Sequence, residues 1–209
     1  MSRYILSTAA QGTDQWYLDR LGRATSSRAE DIVADEKTAA WRDYLCQLAV
    51  ERITGKIGED DYVSREMKHG IEQEPFARMA FEEATGALVE TAGFAYLPTI
   101  MAGCSVDGFI EDDGIFEAKC PKSATHIAYI LAGVMPTKYV PQVTHNLWIT
   151  GRKYAEFVSF DPRMPGPLQL FRVRVERDEA AIAAYEKRVM RFLFEVKDLE
   201  QTLRERCAA

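Results

Sequence analysis

The chain has few cysteines and lacks any paired cysteine motif. Four are spread along its 209 residues, with no CxxC pair among them: Cys46, Cys104, Cys120 and Cys207. Their spacing argues against a structural zinc site and against clustered iron–sulfur ligation. Cys104 and Cys120 could approach each other across a hairpin. We nevertheless expect reduced thiols, because structural disulfides are rare in reducing compartments.

The sequence also lacks long apolar runs and tracts of biased composition. It contains no apolar run near 18 residues and no charged-then-apolar leader, so we expect neither secretion nor a membrane span, and a cytoplasmic location. Nothing in it reads as a linker, a repeat or a low-complexity segment. Its length suits one α/β domain with a substantial core, and we predict a single domain over residues 1–209.

Basic residues are outnumbered by acidic ones. The 26 Lys and Arg residues against 32 Asp and Glu residues give a formal charge of −6 at pH 7, whereas nucleic-acid binding normally relies on basic surface. Net charge does not describe local patches, however, and part of the negative charge would lie in a metal site. Candidate basic patches are Arg20/Arg23/Arg28 and Lys119/Lys122. The charge balance therefore does not exclude a nucleic-acid enzyme.

What the sequence does contain is a predicted β-hairpin between residues 105 and 122. The alternation of apolar and polar residues breaks at Glu111–Gly114, which is a turn signal that folds the second strand back onto the first. The flanking strands are apolar enough to be buried: Val106, Phe109, Ile110, Ile115 and Phe116. The hairpin is therefore predicted to form part of the core.

The hairpin brings charged side chains together at the tips of its strands. Folding places Asp107 close to Glu117. Alternate residues of a strand share a face, so Glu117 and Lys119 project together while Ala118 points into the core. Two carboxylates and one ammonium are thus predicted to converge.

This convergence suits metal-dependent cleavage of a phosphodiester. Asp107 and Glu117 can anchor a hard cation such as Mg²⁺, and Lys119 could orient or deprotonate the attacking water and neutralise charge on the phosphate. A loose D…ExK pattern also occurs by chance, and charged hairpins are usually just solvated. Charged groups on buried, apolar strands need partners, however, and a single metal ion could pair with both carboxylates.

A second candidate feature is a short helix predicted to begin at Ser26. Ser27 and Glu30 have the spacing of a capping box, which places a helix N-terminus just after Arg20. Exposed backbone N–H groups beside a guanidinium would form an anion pocket suited to a terminal phosphate. The alternative is an ordinary capped surface helix.

Other segments follow the periodicity of helices and strands. Helices are predicted over residues 41–53, 64–85, 124–131, 138–149 and 178–206, and strands over 153–162 and 168–178. Glu74 shares a helix side with small or apolar residues, so we expect it to face the hairpin. Gln142 falls off the apolar stripe of Val140, Val143 and Leu147. The histidines have no second histidine at helical spacing and are poor ligand candidates: His69, His126 and His145.

Several motifs in a fixed order resemble one known family. They are RLG before the Ser26 helix, GxxxExxAR from Gly70, CSVDG, EAKCP, YxxQVxxxLWIT and FDPRM. This order resembles the lambda-type alkaline exonucleases, which are YqaJ-type viral recombinases within the PD-(D/E)xK nuclease superfamily, and it spans nearly the whole chain. One departure is Val106, which stands where the signature usually has a proline. That proline stiffens a strand end rather than binding metal.

The resemblance implies a fold and a metal site. The fold would be α/β, with a mixed central β-sheet flanked by helices in a restriction-endonuclease-like core. Asp107 and Glu117 match the metal-binding acids, and the backbone carbonyl of Ala118 would complete the protein ligands of the first ion. Lys119 matches the signature lysine, and Glu74 matches the helical acid that supports a second ion. Two Mg²⁺ ions are implied, with Mn²⁺ as a substitute.

The resemblance also implies contacts beside the metal site. Gln142 matches a glutamine that would position Lys119 or the nucleophilic water. Arg20, Ser27 and Ser105 match residues that hold the 5′-phosphate of the cleaved strand.

The activity implied is 5′→3′ exonuclease digestion of double-stranded DNA to mononucleotides, leaving a 3′ single strand. Implied partners are DNA ends, two further copies in a ring-shaped homotrimer, and a single-strand annealing protein. Two alternatives remain open. A restriction or repair endonuclease would use the same Asp107, Glu117 and Lys119 chemistry. A noncatalytic DNA-end-binding module is disfavoured, since it has no need of two acids that repel phosphate.

Overall fold

The computed structural model describes residues 3–58 and 65–208. Within these ranges the helices are α1 Asp14–Arg20, α2 Ala29–Val33, α3 Ala39–Thr54, α4 Arg65–Thr85, α5 Ser123–Ala132, α6 Val140–Thr150 and α7 Glu179–Ala208. The strands are β1 Ile5–Leu6, β2 Ala24–Thr25, β3 Val89–Glu90, β4 Phe94–Tyr96, β5 Ala102–Ser105, β6 Gly108–Ile110, β7 Gly114–Lys119, β8 Tyr154–Phe160 and β9 Leu170–Glu176. No helix in these ranges is long and apolar enough to cross a membrane.

The strands form two mixed sheets. The larger has the order β3-β6-β7-β8-β9, in which β7 and β8 are parallel and the other neighbours are antiparallel. The smaller has the order β1-β4-β5-β2, with β2 and β5 parallel. The expected α/β fold with mixed sheet and flanking helices is therefore confirmed, with its strands divided between two sheets.

The predicted hairpin is formed by β6 and β7. Phe109 pairs with Ile115 across the two strands, and residues 111–113 make the turn. Because β7 lies between β6 and β8, its side chains are buried from Gly114 to Ala118. A strand that is hydrogen-bonded on both edges holds its side chains in fixed positions.

Two hydrophobic clusters pack on the two faces of this sheet region. The larger joins the sheets to α3, α6 and α7, and within it Tyr44 stacks on Phe192 with ring centroids 5.4 Å apart. The smaller lies beneath α4, where Phe81 meets Phe116 at 5.2 Å between centroids. Helix α4 is thus packed against the strand that carries Glu117.

The helix ends show why some elements begin where they do. The Thr38 side chain accepts a hydrogen bond from Trp41 N at the start of α3. The carboxylate of Asp178 accepts from the backbone N–H groups of Ala180 and Ala181 at the start of α7, which confirms the predicted acidic cap. Each cap satisfies N–H groups that the first helical turn leaves unpaired.

Three details of the sequence prediction are wrong. Residues Ser26–Arg28 form a 3₁₀ turn with no side-chain cap before α2, and the Ser27 hydroxyl faces Thr25 Oγ1 at 3.4 Å, so the capping box does not form. Val140 is 45% exposed rather than part of the apolar stripe. The segment predicted to be helical from residue 138 begins as a 3₁₀ turn over Thr137–Tyr139, and α6 starts after it. A proline lies in the first turn of α6, where the backbone N–H that it lacks would have no partner within the helix.

The predicted helix over residues 64–85 is confirmed from Arg65 onward, and Ser64 lies outside the described residues.

The packing beneath α4 gives a testable prediction. Phe116 is fully buried, whereas Phe194 on α7 is 67% exposed. Phe116→Ala should lower the free energy of unfolding by about 3–5 kcal/mol, because it removes buried apolar contacts and leaves a cavity. Phe194→Ala, the matched control, should change it by less than about 0.5 kcal/mol. Urea denaturation followed by circular dichroism measures both, and equal losses would contradict this packing.

Candidate active site

The hairpin fixes Asp107 at the start of β6. Asp107 Oδ2 accepts a hydrogen bond from the backbone N–H of Ala118 at 2.7 Å, which ties its carboxyl group to β7. The next residue, Gly108, has no room for a side chain, since a Cβ would lie 2.2 Å from Val89 Cγ1. The close approach of β3 to β6 at this point therefore requires glycine.

Glu117 is the central group of the site. It is 1% exposed, and donors from two elements surround its carboxylate. Oε1 accepts from Lys119 Nζ and from Gln142 Nε2, each at 2.6 Å. Oε2 accepts from Asn146 Nδ2 at 2.8 Å. Strand β7 therefore supplies the acid and its cation, and α6 supplies two amides.

The charges of the site influence one another strongly. Burial, followed by repulsion from Glu117 and Glu74, raises the pKa of Asp107 well above its usual value. Burial and repulsion from Glu117 also raise the pKa of Glu74. Burial by itself would lower the pKa of Lys119, but the negative charges of Glu117 and Asp107 outweigh it and raise that pKa. The site thus holds more negative charge than one ammonium balances.

A cleft of about 700 Å³ meets this group of residues at Glu74, and Asp107, Glu117 and Lys119 do not line it. Glu74, half-buried on α4, lines it together with Arg20 and Ser27. The expectation that Glu74 faces inward is confirmed, since its charge interacts with that of Glu117. The cleft is large enough for a nucleotide-sized ligand.

Arg20 connects this cleft to β5. Its Nη1 donates to Ser105 Oγ at 2.9 Å, and its guanidinium lies 4.2 Å from the ring centroid of Trp16 and 5.5 Å from that of Phe94. Ser27 lines the same cleft. Of the three residues expected at a terminal phosphate, Arg20 and Ser27 line the cleft, and Ser105 is joined to Arg20 by a hydrogen bond. No capped helix N-terminus lies at Ser27.

The cleft is locally basic despite the net negative charge. Arg20, Arg23 and Arg28 all line it. Arg23 lies 4.5 Å from the centroid of Tyr96, and Arg28 lies 4.5 Å from that of Tyr44. The structure thus brings the three arginines of the candidate patch to one cleft, which the acids Glu51 and Glu74 also line.

The donor set fits a hard divalent cation. Within residues 3–58 and 65–208, no three His, Cys, Asp or Glu side chains form a complete cage for a metal ion. Mg²⁺ does not need such a cage, because it commonly binds one or two carboxylates and takes waters and substrate phosphate as its other ligands. Asp107 and Glu117 supply two carboxylates in a surplus of negative charge, which a cation would neutralise.

Other predicted features lie away from this site. The ring nitrogens of His126 meet Ser159 Oγ and the Leu168 carbonyl, and those of His145 meet the Tyr185 hydroxyl and the Gly103 carbonyl. These hydrogen bonds occupy both rings. All four cysteines are free thiols, as expected.

One residue of the site was missed by sequence reasoning. Asn146 contacts the carboxylate of Glu117 and follows Gln142 by four positions on α6. Residues four apart on a helix share a face, so the signal was a second amide on the side of Gln142. Of the polar residues on this helix, only Gln142 was predicted to lie at the site.

Known proteins match this chain in family and in structure. The YqaJ-like viral recombinase domain matches residues 15–153. The crystal structure of the alkaline exonuclease LHK-Exo from Laribacter hongkongensis is 36% identical and superposes with a TM-score of 0.87, covering 94% of this chain and 98% of that one. The complex of LHK-Exo with dAMP matches with the same values.

A more distant structure shows the fold alone. It is a phage related exonuclease from Haemophilus somnus 129PT, 15% identical with a TM-score of 0.64, covering 88% of this chain and 96% of that one. A search of curated proteins found no match. With two thirds of its length matched by the family and its fold shared with an alkaline exonuclease, the chain belongs to the YqaJ-like viral recombinase family.

Proposed function

We propose that the protein is a Mg²⁺-dependent exonuclease that digests one strand of linear double-stranded DNA in the 5′→3′ direction. It would release mononucleotides and leave a 3′ single strand for annealing. Family membership and the similarity to an alkaline exonuclease support a DNA exonuclease. The observation that carries the proposal is the buried Glu117 carboxylate, which lies beside Asp107 and is bound by Lys119 and Gln142.

The proposed metal ligands are those that the family resemblance implies. Asp107, Glu117 and the backbone carbonyl of Ala118 would hold one Mg²⁺, and Glu74 would support a second, with Mn²⁺ as a substitute. Bound there, the metal lowers the pKa of a coordinated water and neutralises charge on the phosphate.

Lys119 and Gln142 act on the same oxygen. The neighbouring carboxylates raise the pKa of Lys119, which favours its protonated form in the ion-free site, where it donates to Glu117 Oε1. Its ammonium can then orient a water and offset negative charge on the scissile phosphate. Gln142 shares Glu117 Oε1 with it and so keeps Lys119 in place.

The basic cleft would receive the 5′-terminal nucleotide. A terminal phosphate there would meet the guanidinium of Arg20 and the hydroxyls of Ser27 and Ser105. The related LHK-Exo is known in complex with dAMP, a nucleoside monophosphate, which supports nucleotide binding by this protein.

The first prediction concerns the acids and the lysine. Asp107→Ala or Glu117→Ala should abolish cleavage of linear duplex DNA in Mg²⁺, because each removes a cation ligand, and chelation should do the same. Lys119→Ala should lose cleavage and retain DNA binding. Asp112→Ala, in the exposed hairpin turn, is the matched control and should keep wild-type activity. Release of labelled mononucleotides measures cleavage, and a gel shift measures binding.

Two results would contradict this prediction. Near wild-type turnover in either acid variant would show that the hairpin is not the active site. Cleavage of closed circular duplexes as fast as linear ones would instead indicate an endonuclease.

The second prediction concerns how the enzyme recognises an end. Each charge-assisted hydrogen bond is worth about 1.5–3 kcal/mol, so Arg20→Ala should slow digestion of 5′-phosphorylated ends by about tenfold or more. It should scarcely affect 5′-hydroxyl ends, which lack the anion. Arg172→Ala, on the exposed side of β9, is the control and should preserve both rates. If the loss of the 5′-phosphate and the loss of the guanidinium each slow digestion by a factor that does not depend on the other, Arg20 does not bind the phosphate.

The third prediction concerns assembly. We propose a ring-shaped homotrimer that DNA threads, with a single-strand annealing protein as partner. A closed ring cannot easily leave its DNA, so digestion should continue after excess competitor DNA is added, and light scattering should report a trimer. A monomeric enzyme whose digestion stops when competitor DNA is added would refute the ring and leave the cleavage chemistry intact.

A further inference from the structure

Asn146 lies where α6 passes beneath the candidate active site. It is fully buried, and its neighbours in the chain, His145 and Leu147, are buried as well. Its Nδ2 donates to Glu117 Oε2 at 2.8 Å. Asn146 therefore contacts the acid from the core side, one helical turn beyond Gln142.

The two oxygens of Glu117 have different surroundings. Oε1 meets Lys119 and Gln142, and both of these side chains are partly exposed. Oε2 meets Asn146, which solvent does not reach. A cation that enters from solvent would therefore reach Oε1 first.

The amide of Asn146 is only half satisfied. A carboxylate accepts hydrogen bonds only, so the amide must turn its NH₂ group toward Glu117. Its Oδ1 is then left buried without a hydrogen-bond partner in the described part of the chain. A buried unpaired carbonyl oxygen is unfavourable, and an apolar side chain of the same size would avoid it. Packing therefore gives no reason for an asparagine here, whereas the contact with Glu117 does.

We propose that Asn146 is a positioning residue that fixes the orientation of the Glu117 carboxylate for metal binding. It holds Oε2 on the core side and so leaves Oε1 directed toward Lys119 and the open side of the site. Without it, the carboxylate loses its donor at Oε2 and can turn about the bond between Cγ and Cδ. The inference rests on the proposed function, since it gives Glu117 the role of a metal ligand.

The test compares two buried substitutions on the same helix. Asn146→Leu keeps the side-chain size and removes the amide. Thr150→Val is the matched control, because Thr150 Oγ1 donates to the Asn146 backbone carbonyl at 2.8 Å and has no contact with Glu117. Asn146→Leu loses one hydrogen bond, and Thr150→Val loses two, because Thr150 Oγ1 also accepts from the Arg152 backbone N–H at 3.3 Å. Only the first variant loses the contact with the acid.

Titration of each intact protein with Mn²⁺ alone, by calorimetry, gives the metal affinity directly. Ligand-supporting hydrogen bonds of this type typically change metal affinity by about 10–100-fold, so we expect a loss in this range for Asn146→Leu and none for Thr150→Val. The Mg²⁺ concentration that half-saturates cleavage should rise in parallel. DNA binding in EDTA should be unchanged in both variants.

Wild-type metal affinity in Asn146→Leu would overturn the proposal, and so would equal losses in both variants, which would show a general packing defect. If Asn146→Leu does not fold, Asn146→Ser serves the same test, because its short hydroxyl cannot reach Glu117. Failure of the proposed function gives a different result, namely persistent cleavage by Glu117→Ala.

Discussion

The burial of one carboxylate, that of Glu117, is the constraint on which the rest of the site depends. A buried anion is costly unless donors surround it. Here they come from Lys119 on its own strand and from Gln142 and Asn146 on α6. The two contacts from α6 fix the distance between β7 and α6 at the site.

The sheet and the helices each contribute to holding this arrangement. Strand β7 is central in its sheet and is therefore held on both sides, which sets the direction of Glu117 and Lys119. Helix α4 packs on the same strand through Phe81 and Phe116 and brings Glu74 to the cleft. The resulting cluster of three carboxylates and one ammonium has a surplus of negative charge. A divalent cation would relieve that surplus, which links the fold directly to the proposed chemistry.

Local sequence pattern predicted the parts of the site that lie on one element. The hairpin followed from strand alternation and a turn signal, so Asp107, Glu117 and Lys119 could be placed together before the fold was known. The family and the α/β fold followed from the order of the motifs. The contact between Arg20 and Ser105 joins residues 85 positions apart, and only the resemblance suggested it.

Features that depend on tertiary packing could not be predicted in this way. Spacing indicated a capping box at Ser27, but the chain forms a 3₁₀ turn there. The sequence pattern assigned Asn146 no role, and only the approach of β7 reveals its contact with Glu117. The central claim is that Asp107 and Glu117 bind a catalytic metal together, and anomalous diffraction from crystals grown with Mn²⁺ and a 5′-phosphorylated duplex tests it most directly. We predict a strong anomalous peak within coordination distance of both carboxylates, whereas saturating Mn²⁺ with no peak there would contradict the account.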